Sequence, residues 1–175
     1  GRPDGSRQDQ WIYIAKMLNP WTIEGPSAVL TKPELAWERA GGPVNEAPQI
    51  LKNKDGRVFM VYSASGCWTD DYALGMLTLK AGGNPMIPGD WEKSATPVFS
   101  KNPAGNAFGP GHNAFFQSPD GSEDWLIYHA NNNSGEGCGE RRNVRIQPFS
   151  WNGSGIPQFG VPVRTGVAVT KPSGE

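Results

Sequence analysis

The sequence carries one strand–turn–strand pattern twice, and this repeat limits the folds open to the chain more than any other feature. Each copy places an Asp-Gly dipeptide between two apolar segments, which is a strong signal for a β-hairpin. The copies lie about 65 to 71 residues apart. They are residues 47–51 and 58–62 around Asp55-Gly56, and residues 113–116 and 125–128 around Asp120-Gly121.

Each hairpin is followed by two further segments of strand character, so each copy predicts four antiparallel strands. In the first copy these segments are residues 72–79 and 95–100, and in the second they are residues 143–151 and 158–164. Upstream, residues 11–17 and 27–31 resemble the third and fourth strands of a further unit without its hairpin. Four antiparallel strands make one blade of a β-propeller. The prediction is an all-β chain with the end of one blade in 1–41, a blade in 42–104, and the following blade with a closing strand in 105–175. A small β-sandwich fits the same strand count and stays open as an alternative.

Composition and charge exclude several classes of partner. The chain has 16 basic and 17 acidic residues and a net charge of -1, so no basic face is available to neutralise a phosphate backbone. We therefore expect no nucleic-acid partner. The longest apolar runs, such as residues 58–61, are too short to cross a bilayer, and we expect no membrane partner either.

Several ordered motifs resemble one enzyme family. The sequence GPVNEAPQIL at residues 42–51 resembles the acid-bearing strand of glycoside hydrolase family 43. Further similar stretches are residues 12–17 with 19–23, residues 62–72, residues 109–113, and Tyr128 with the hairpin before it. The resemblance spans nearly the whole chain, and it is greatest to the α-L-arabinofuranosidases and exo-acting arabinanases of that family.

The resemblance implies a five-bladed β-propeller, of which this chain supplies roughly the last two and a half blades. Family members use a general base, a general acid and an aspartate that tunes the acid, and only the acid motif, with Glu46, is found here. An inverting glycosidase needs two carboxyl groups roughly 6.5 to 9.5 Å apart. The other two groups are therefore expected from a missing N-terminal propeller segment, either in cis or as a second chain.

Three further residues are candidates for the sugar site. His112 occupies nearly the same place in its repeat as Glu46, and the resemblance implies that it contacts substrate or holds calcium or another cation, directly or through water. A structural histidine is the alternative. The resemblance implies an arginine near the site at the start of the strand at 143–151. Alternation puts Arg142 and Arg145 on opposite faces, so only one of them is expected to reach it, and Arg142 is preferred. Trp68, on a loop, is a candidate platform for a sugar ring, with core packing as its alternative.

Cys67 and Cys138 fall on corresponding loops of the two repeats, which makes a disulfide between them plausible. The hypothesis for function is a secreted, inverting glycosidase without an organic cofactor. It would release terminal α-L-arabinofuranosyl units from arabinan or arabinoxylan, with Glu46 as general acid. The alternatives are a carbohydrate-binding propeller without activity, and an inactive fragment that lacks the catalytic base.

Overall fold

The computed structural model describes residues 9–175, and this part of the chain is built almost wholly of β-strands. The strands are β1 (Ile12–Asn19), β2 (Thr22–Thr31), β3 (Asn45–Lys52), β4 (Val58–Ala64), β5 (Ala73–Leu79), β6 (Trp91–Lys93), β7 (Phe108–Gln117), β8 (Asp124–Asn131), β9 (Asn143–Trp151) and β10 (Pro157–Gln158). Short 3₁₀ turns lie at Ala36–Arg39, Pro88–Asp90 and Pro103–Gly105. No helix within residues 9–175 has the length and apolar character needed to cross a membrane.

The strands form three antiparallel sheets, which confirms the all-β prediction. Strands β1 and β2 make a two-stranded sheet, β3 to β6 a four-stranded sheet, and β7 to β10 a second four-stranded sheet. In each sheet every strand pairs with the next in sequence, so the predicted hairpins β3–β4 and β7–β8 are present. The assignment of residues 1–41, 42–104 and 105–175 to parts of one propeller stays a prediction.

The outermost strands differ from those predicted. Residues 95–100 do not form the fourth strand of the first sheet, because Pro97 has no N–H for a ladder and the segment makes only an isolated bridge at Phe99. The short strand β6 takes that place. In the second sheet the strand predicted at 158–164 ends at Gln158, and the Gln147 side chain donates to the carbonyls of Phe159 and Val161 instead.

The sheets pack face to face, and β4 shows why. Alternate side chains of a strand point to opposite faces. Phe59 and Val61 enter the core between the two four-stranded sheets, whereas Met60 and Tyr62 enter the core shared with the β1–β2 hairpin. Because both of its faces are covered, β4 reads as a continuous apolar run.

A buried carboxylate fixes the segment that leads into β3. Glu38, on the first 3₁₀ turn, is fully buried. Each of its two carboxylate oxygens lies 2.8 Å from the Lys93 ammonium nitrogen. It also accepts hydrogen bonds from the Tyr62 hydroxyl at 2.8 Å and from the Asn45 amide at 3.1 Å. Asn45 directly precedes Glu46, so this network holds the start of the strand that carries the predicted acid.

Candidate active site

The inner strands of the two four-stranded sheets are irregular at corresponding points. In β3 the register shifts between Glu46 and Gln49, and Ala47 has a φ of 49°. In β7 the register shifts on both sides of Gly111, and His112 has a φ of 56°. Non-glycine residues rarely adopt positive φ, and such bulges redirect side chains next to functional sites. The two irregularities mark the place where the predicted acid and the predicted histidine lie.

Glu46 is half-buried and is held by a tyrosine. The Tyr72 hydroxyl donates a hydrogen bond of 2.7 Å to Glu46 Oε1. Tyr72 directly precedes β5 and is 1% exposed. Burial raises the pKa of Tyr72 well above its usual value, and hydrogen bonding to Glu46 adds to the effect. The phenol therefore stays protonated and remains a donor to the carboxyl group.

The Tyr72 ring is held between two elements of the second sheet. On one side it stacks on His129 of β8, with ring centroids 5.7 Å apart and planes 3° from parallel. It also lies so close to Gly111 of β7 that a Cβ on that residue would overlap the ring. Only a glycine at position 111 lets the backbone approach the ring this closely.

An open cavity of about 380 Å³ lies beside this ring and is lined by His112, His129, Gly139 and Arg142. Ligand pockets commonly have volumes of about 300 to 1,000 Å³, so the cavity can accept a single sugar ring. The His112 and His129 rings lie 6.2 Å apart. Glu46 does not line this cavity; it is connected to the cavity wall through Tyr72, which bonds Glu46 and stacks on His129.

His129 is uncharged over the usual working range of pH. Its burial, with the nearby guanidinium of Arg142 and the His112 ring, lowers the pKa of His129 to about 4. The neutral ring accepts at Nε2 from Arg142 Nη1, at 3.2 Å, which leaves the proton on Nδ1. That Nδ1 is buried and has no hydrogen-bond partner among residues 9–175.

The two candidate arginines have different environments. Arg142 directly precedes β9, in the position that Tyr72 has before β5, and it reaches the cavity. Arg145 instead donates to the carbonyls of Asn106, Asn131 and Val163 and to the Asn132 side chain. Arg145 therefore ties loops of the second sheet together, and Arg142 is the one placed to meet a ligand.

Trp68 lies on the loop after β4 with one face packed on backbone. Its indole covers Gly41, Gly42 and Gly66, where an added Cβ would crowd or overlap the ring, yet the side chain is 47% exposed. A ring supported on one face and open on the other can stack on a sugar. Trp68 is not among the residues that line the cavity of His112 and Arg142.

A disulfide joins the loops of the two sheets beside this site. Cys67 and Cys138 are bonded, with Cα atoms 5.3 Å apart. The same loops are joined by Asp70, which accepts hydrogen bonds from the Ser134 hydroxyl and, at 2.9 Å, from the Gly135 amide. The loop that carries Trp68 is thus fixed to the loop that leads to Gly139 and Arg142.

Residues 9–175 contain no group of three His, Cys, Asp or Glu side chains placed to hold a metal ion. A cation at His112 would need further ligands such as water or residues from outside this part of the chain. The His112 side chain is exposed, so such ligands can reach it. The cation site stays a prediction.

Sequence reasoning missed Tyr72, Ser63 and His129 as members of the site. His129 could have been found, because the chain has only two histidines and the other is His112. Ser63 is the cross-strand partner of Glu46, and its hydroxyl accepts a 2.7 Å hydrogen bond from the His112 amide. Continuing the pairing of the predicted hairpin by one residue would have placed Ser63 near Glu46, but no local signal indicates its contact with β7.

The chain matches the model of glycosyl hydrolases family 43 over residues 1–157 and belongs to that family. It is 41% identical over 169 residues to alpha-L-arabinofuranosidase 43 of Humicola insolens, covering 94% of this chain and 34% of that protein. It is 44% identical over 161 residues to an extracellular exo-alpha-(1->5)-L-arabinofuranosidase of Streptomyces avermitilis, covering 89% of this chain and 33% of that protein.

Among solved structures, the crystal structure of an alpha-L-arabinofuranosidase from Lactobacillus brevis superposes with a TM-score of 0.83 at 42% identity. That match covers 90% of this chain and 49% of the other. The chain thus spans about a third of the length of the two arabinofuranosidases named above and about half of the solved one.

Proposed function

We propose that this chain supplies the C-terminal portion of an inverting glycosidase with a five-bladed propeller fold. Its substrate would be the terminal α-L-arabinofuranosyl unit of arabinan or arabinoxylan. The observation that carries the proposal is the half-buried Glu46 carboxyl, held by Tyr72 beside a cavity of sugar size. The arabinofuranosidases at 41% and 44% identity support this substrate class.

In this proposal Glu46 protonates the leaving oxygen as the glycosidic C–O bond breaks. Water attacks the anomeric carbon from the opposite face and loses its proton to an aspartate outside this chain. Arg142 and His112 bind sugar hydroxyls from the cavity wall, and Trp68 stacks on the apolar face of a sugar ring. An aspartate that tunes the acid also comes from outside the chain.

The aspartates would come from an N-terminal propeller segment, present in cis or as a second chain. Support comes from the length of the relatives, since the matched region covers only 34% of the Humicola insolens protein. We also propose that the protein is secreted. The disulfide favours an oxidising compartment, and the relative from Streptomyces avermitilis is named extracellular.

The test is the Glu46→Gln variant of the full-length protein that contains this chain. Activity is measured on an arabino-oligosaccharide, whose leaving group needs a proton, and on a nitrophenyl α-L-arabinofuranoside, whose leaving group does not. Loss of a general acid typically costs about 10²- to 10⁴-fold, so we expect a fall of that order on the oligosaccharide and a smaller fall on the aryl substrate.

Glu92→Gln, an exposed residue on the edge strand β6, is the matched control and should leave both activities unchanged. Proton NMR of the first product should show the β anomer if the configuration inverts. Full oligosaccharide activity in Glu46→Gln would remove Glu46 from the acid role, and an α product would exclude inversion.

A further inference from the structure

We infer that Tyr72 is a positioning residue that sets which oxygen of Glu46 delivers the proton. The inference rests on the proposed role of Glu46 as general acid. Tyr72 directs its hydroxyl at Oε1 from 2.7 Å, and Oε2 accepts no hydrogen bond from residues 9–175. A carboxyl group whose Oε1 is occupied by a donor carries its own proton on Oε2.

The Tyr72 hydroxyl is the donor in its hydrogen bond to Glu46, because a carboxylate oxygen and the carbonyl oxygen of a carboxyl group can only accept. Ser63, the cross-strand partner of Glu46, is tied to the other sheet, since its hydroxyl accepts from the His112 amide at 2.7 Å. The backbone on which Glu46 pairs is thus fixed next to the Tyr72 donor.

The surroundings of the Tyr72 hydroxyl are dry and rigid. Ser63 is fully buried and Tyr72 is 1% exposed, so water does not compete for their hydroxyl groups. The ring cannot swing away, because it is held by His129 on one side and by the close backbone of Gly111. The donor therefore stays in place while the Glu46 proton is transferred.

The hydrogen bond also stabilises the charge that forms on Glu46 during the proposed proton transfer. A hydrogen bond donated to a carboxylate stabilises its charged form more than its neutral form, so Tyr72 aids the carboxylate that forms as the proton leaves. The charged or titratable groups around this pair are Arg142 before β9, His112 on β7 and His129 on β8. None of them takes the place of the Tyr72 hydroxyl at Oε1.

The test is Tyr72→Phe in the full-length protein, which removes the hydroxyl and keeps the ring between His129 and Gly111. We expect kcat on an arabino-oligosaccharide to fall about tenfold, with KM changed less than twofold, because one hydrogen bond to a charged group is lost. The fall on the nitrophenyl substrate should be under threefold, since its leaving group needs little protonation.

A matched control separates positioning from a general loss of structure. Tyr62→Phe serves for this, because Tyr62 is also fully buried and donates to a carboxylate, but to Glu38 rather than Glu46. It should lower the melting temperature and leave the ratio of the two activities unchanged.

The outcomes distinguish this inference from the proposed function. If Glu46→Gln loses oligosaccharide activity while Tyr72→Phe keeps the wild-type kcat on both substrates, the inference is wrong and the acid role stands. If Tyr72→Phe lowers both activities equally, the tyrosine has only a structural role and the inference is also wrong. If Glu46→Gln retains activity, the proposed function fails first.

Discussion

Removing the disulfide should destabilise the chain strongly. The bond closes a loop of 71 residues, and replacing both cysteines with serine opens it. In the chain-entropy model a closure of this length stabilises the folded state by about 4 kcal/mol at 25 °C, because it restricts the unfolded chain. For a protein of 175 residues that corresponds to a fall in melting temperature of about 10 °C.

The assay is thermal unfolding followed by circular dichroism, for the wild-type chain and the Cys67→Ser/Cys138→Ser variant, each with and without reductant. Reductant should bring the wild-type melting temperature down to that of the variant and should not affect the variant itself. A difference below about 2 °C would refute the reasoning. It would mean that the hydrogen bonds of Asp70 to Ser134 and Gly135 already restrain the same loops in the unfolded ensemble.

Two buried groups give further predictions, each measured by urea unfolding. Burial lowers the pKa of His129 to about 4 from about 6.5 when unfolded, so its neutral ring contributes stability above pH 6.5 that is lost as the pH falls through 4. The wild type should therefore lose more stability over that window than His129→Gln, and parallel curves would contradict this. Lys93→Met leaves Glu38 buried without its cation and should cost about 3 to 5 kcal/mol. Lys16→Met breaks only the exposed pair with Glu24 and should cost under about 1 kcal/mol, so equal losses would contradict the reasoning.

The hairpins could be predicted because their signals are local. An Asp-Gly turn between apolar segments specifies both the turn and the pairing of its two strands, and the pairs β3–β4 and β7–β8 follow from it. The third strands, predicted at 72–79 and 143–151, also agree closely with β5 and β9. Two repeats with the same signals gave two sheets of the same order.

The edges of the sheets could not be predicted, because little local information specifies them. Strand β6 is three residues long and depends on Trp91, whose buried ring packs in the core shared with the β1–β2 hairpin. Strand β10 ends where the Gln147 side chain of the neighbouring strand β9 donates hydrogen bonds to the carbonyls of Phe159 and Val161. Such tertiary contacts override segment propensity.

The residues of the candidate site that lie in family-like motifs could be named from the sequence. The contacts that depend on packing between the two sheets could not. Glu46, His112 and Arg142 were expected from motifs that resemble the family, and they lie next to the Tyr72 and His129 rings. Their roles stay predictions. Tyr72 was part of a similar motif, but its role depends on Gly111, which lies in the other sheet. A glycine in an inner strand signals close backbone approach without identifying the partner.

The irregular backbone of the inner strands links these observations. Ala47 and His112 hold positive φ angles that typically cost about 1 to 3 kcal/mol each, and neither is a glycine. The bulge at His112 directs the His112 amide at the Ser63 hydroxyl. The bulge at Ala47 immediately follows Glu46, which accepts the hydrogen bond of Tyr72. Regular strands at these points would pair in register and would remove the shifts between β3 and β4 and between β7 and β8. The local cost is thus retained at the point where β7 donates a hydrogen bond to Ser63 of β4 and at the residue that follows Glu46. A cost of this kind agrees with the proposed role of Glu46, because geometry at a reacting group matters more than stability.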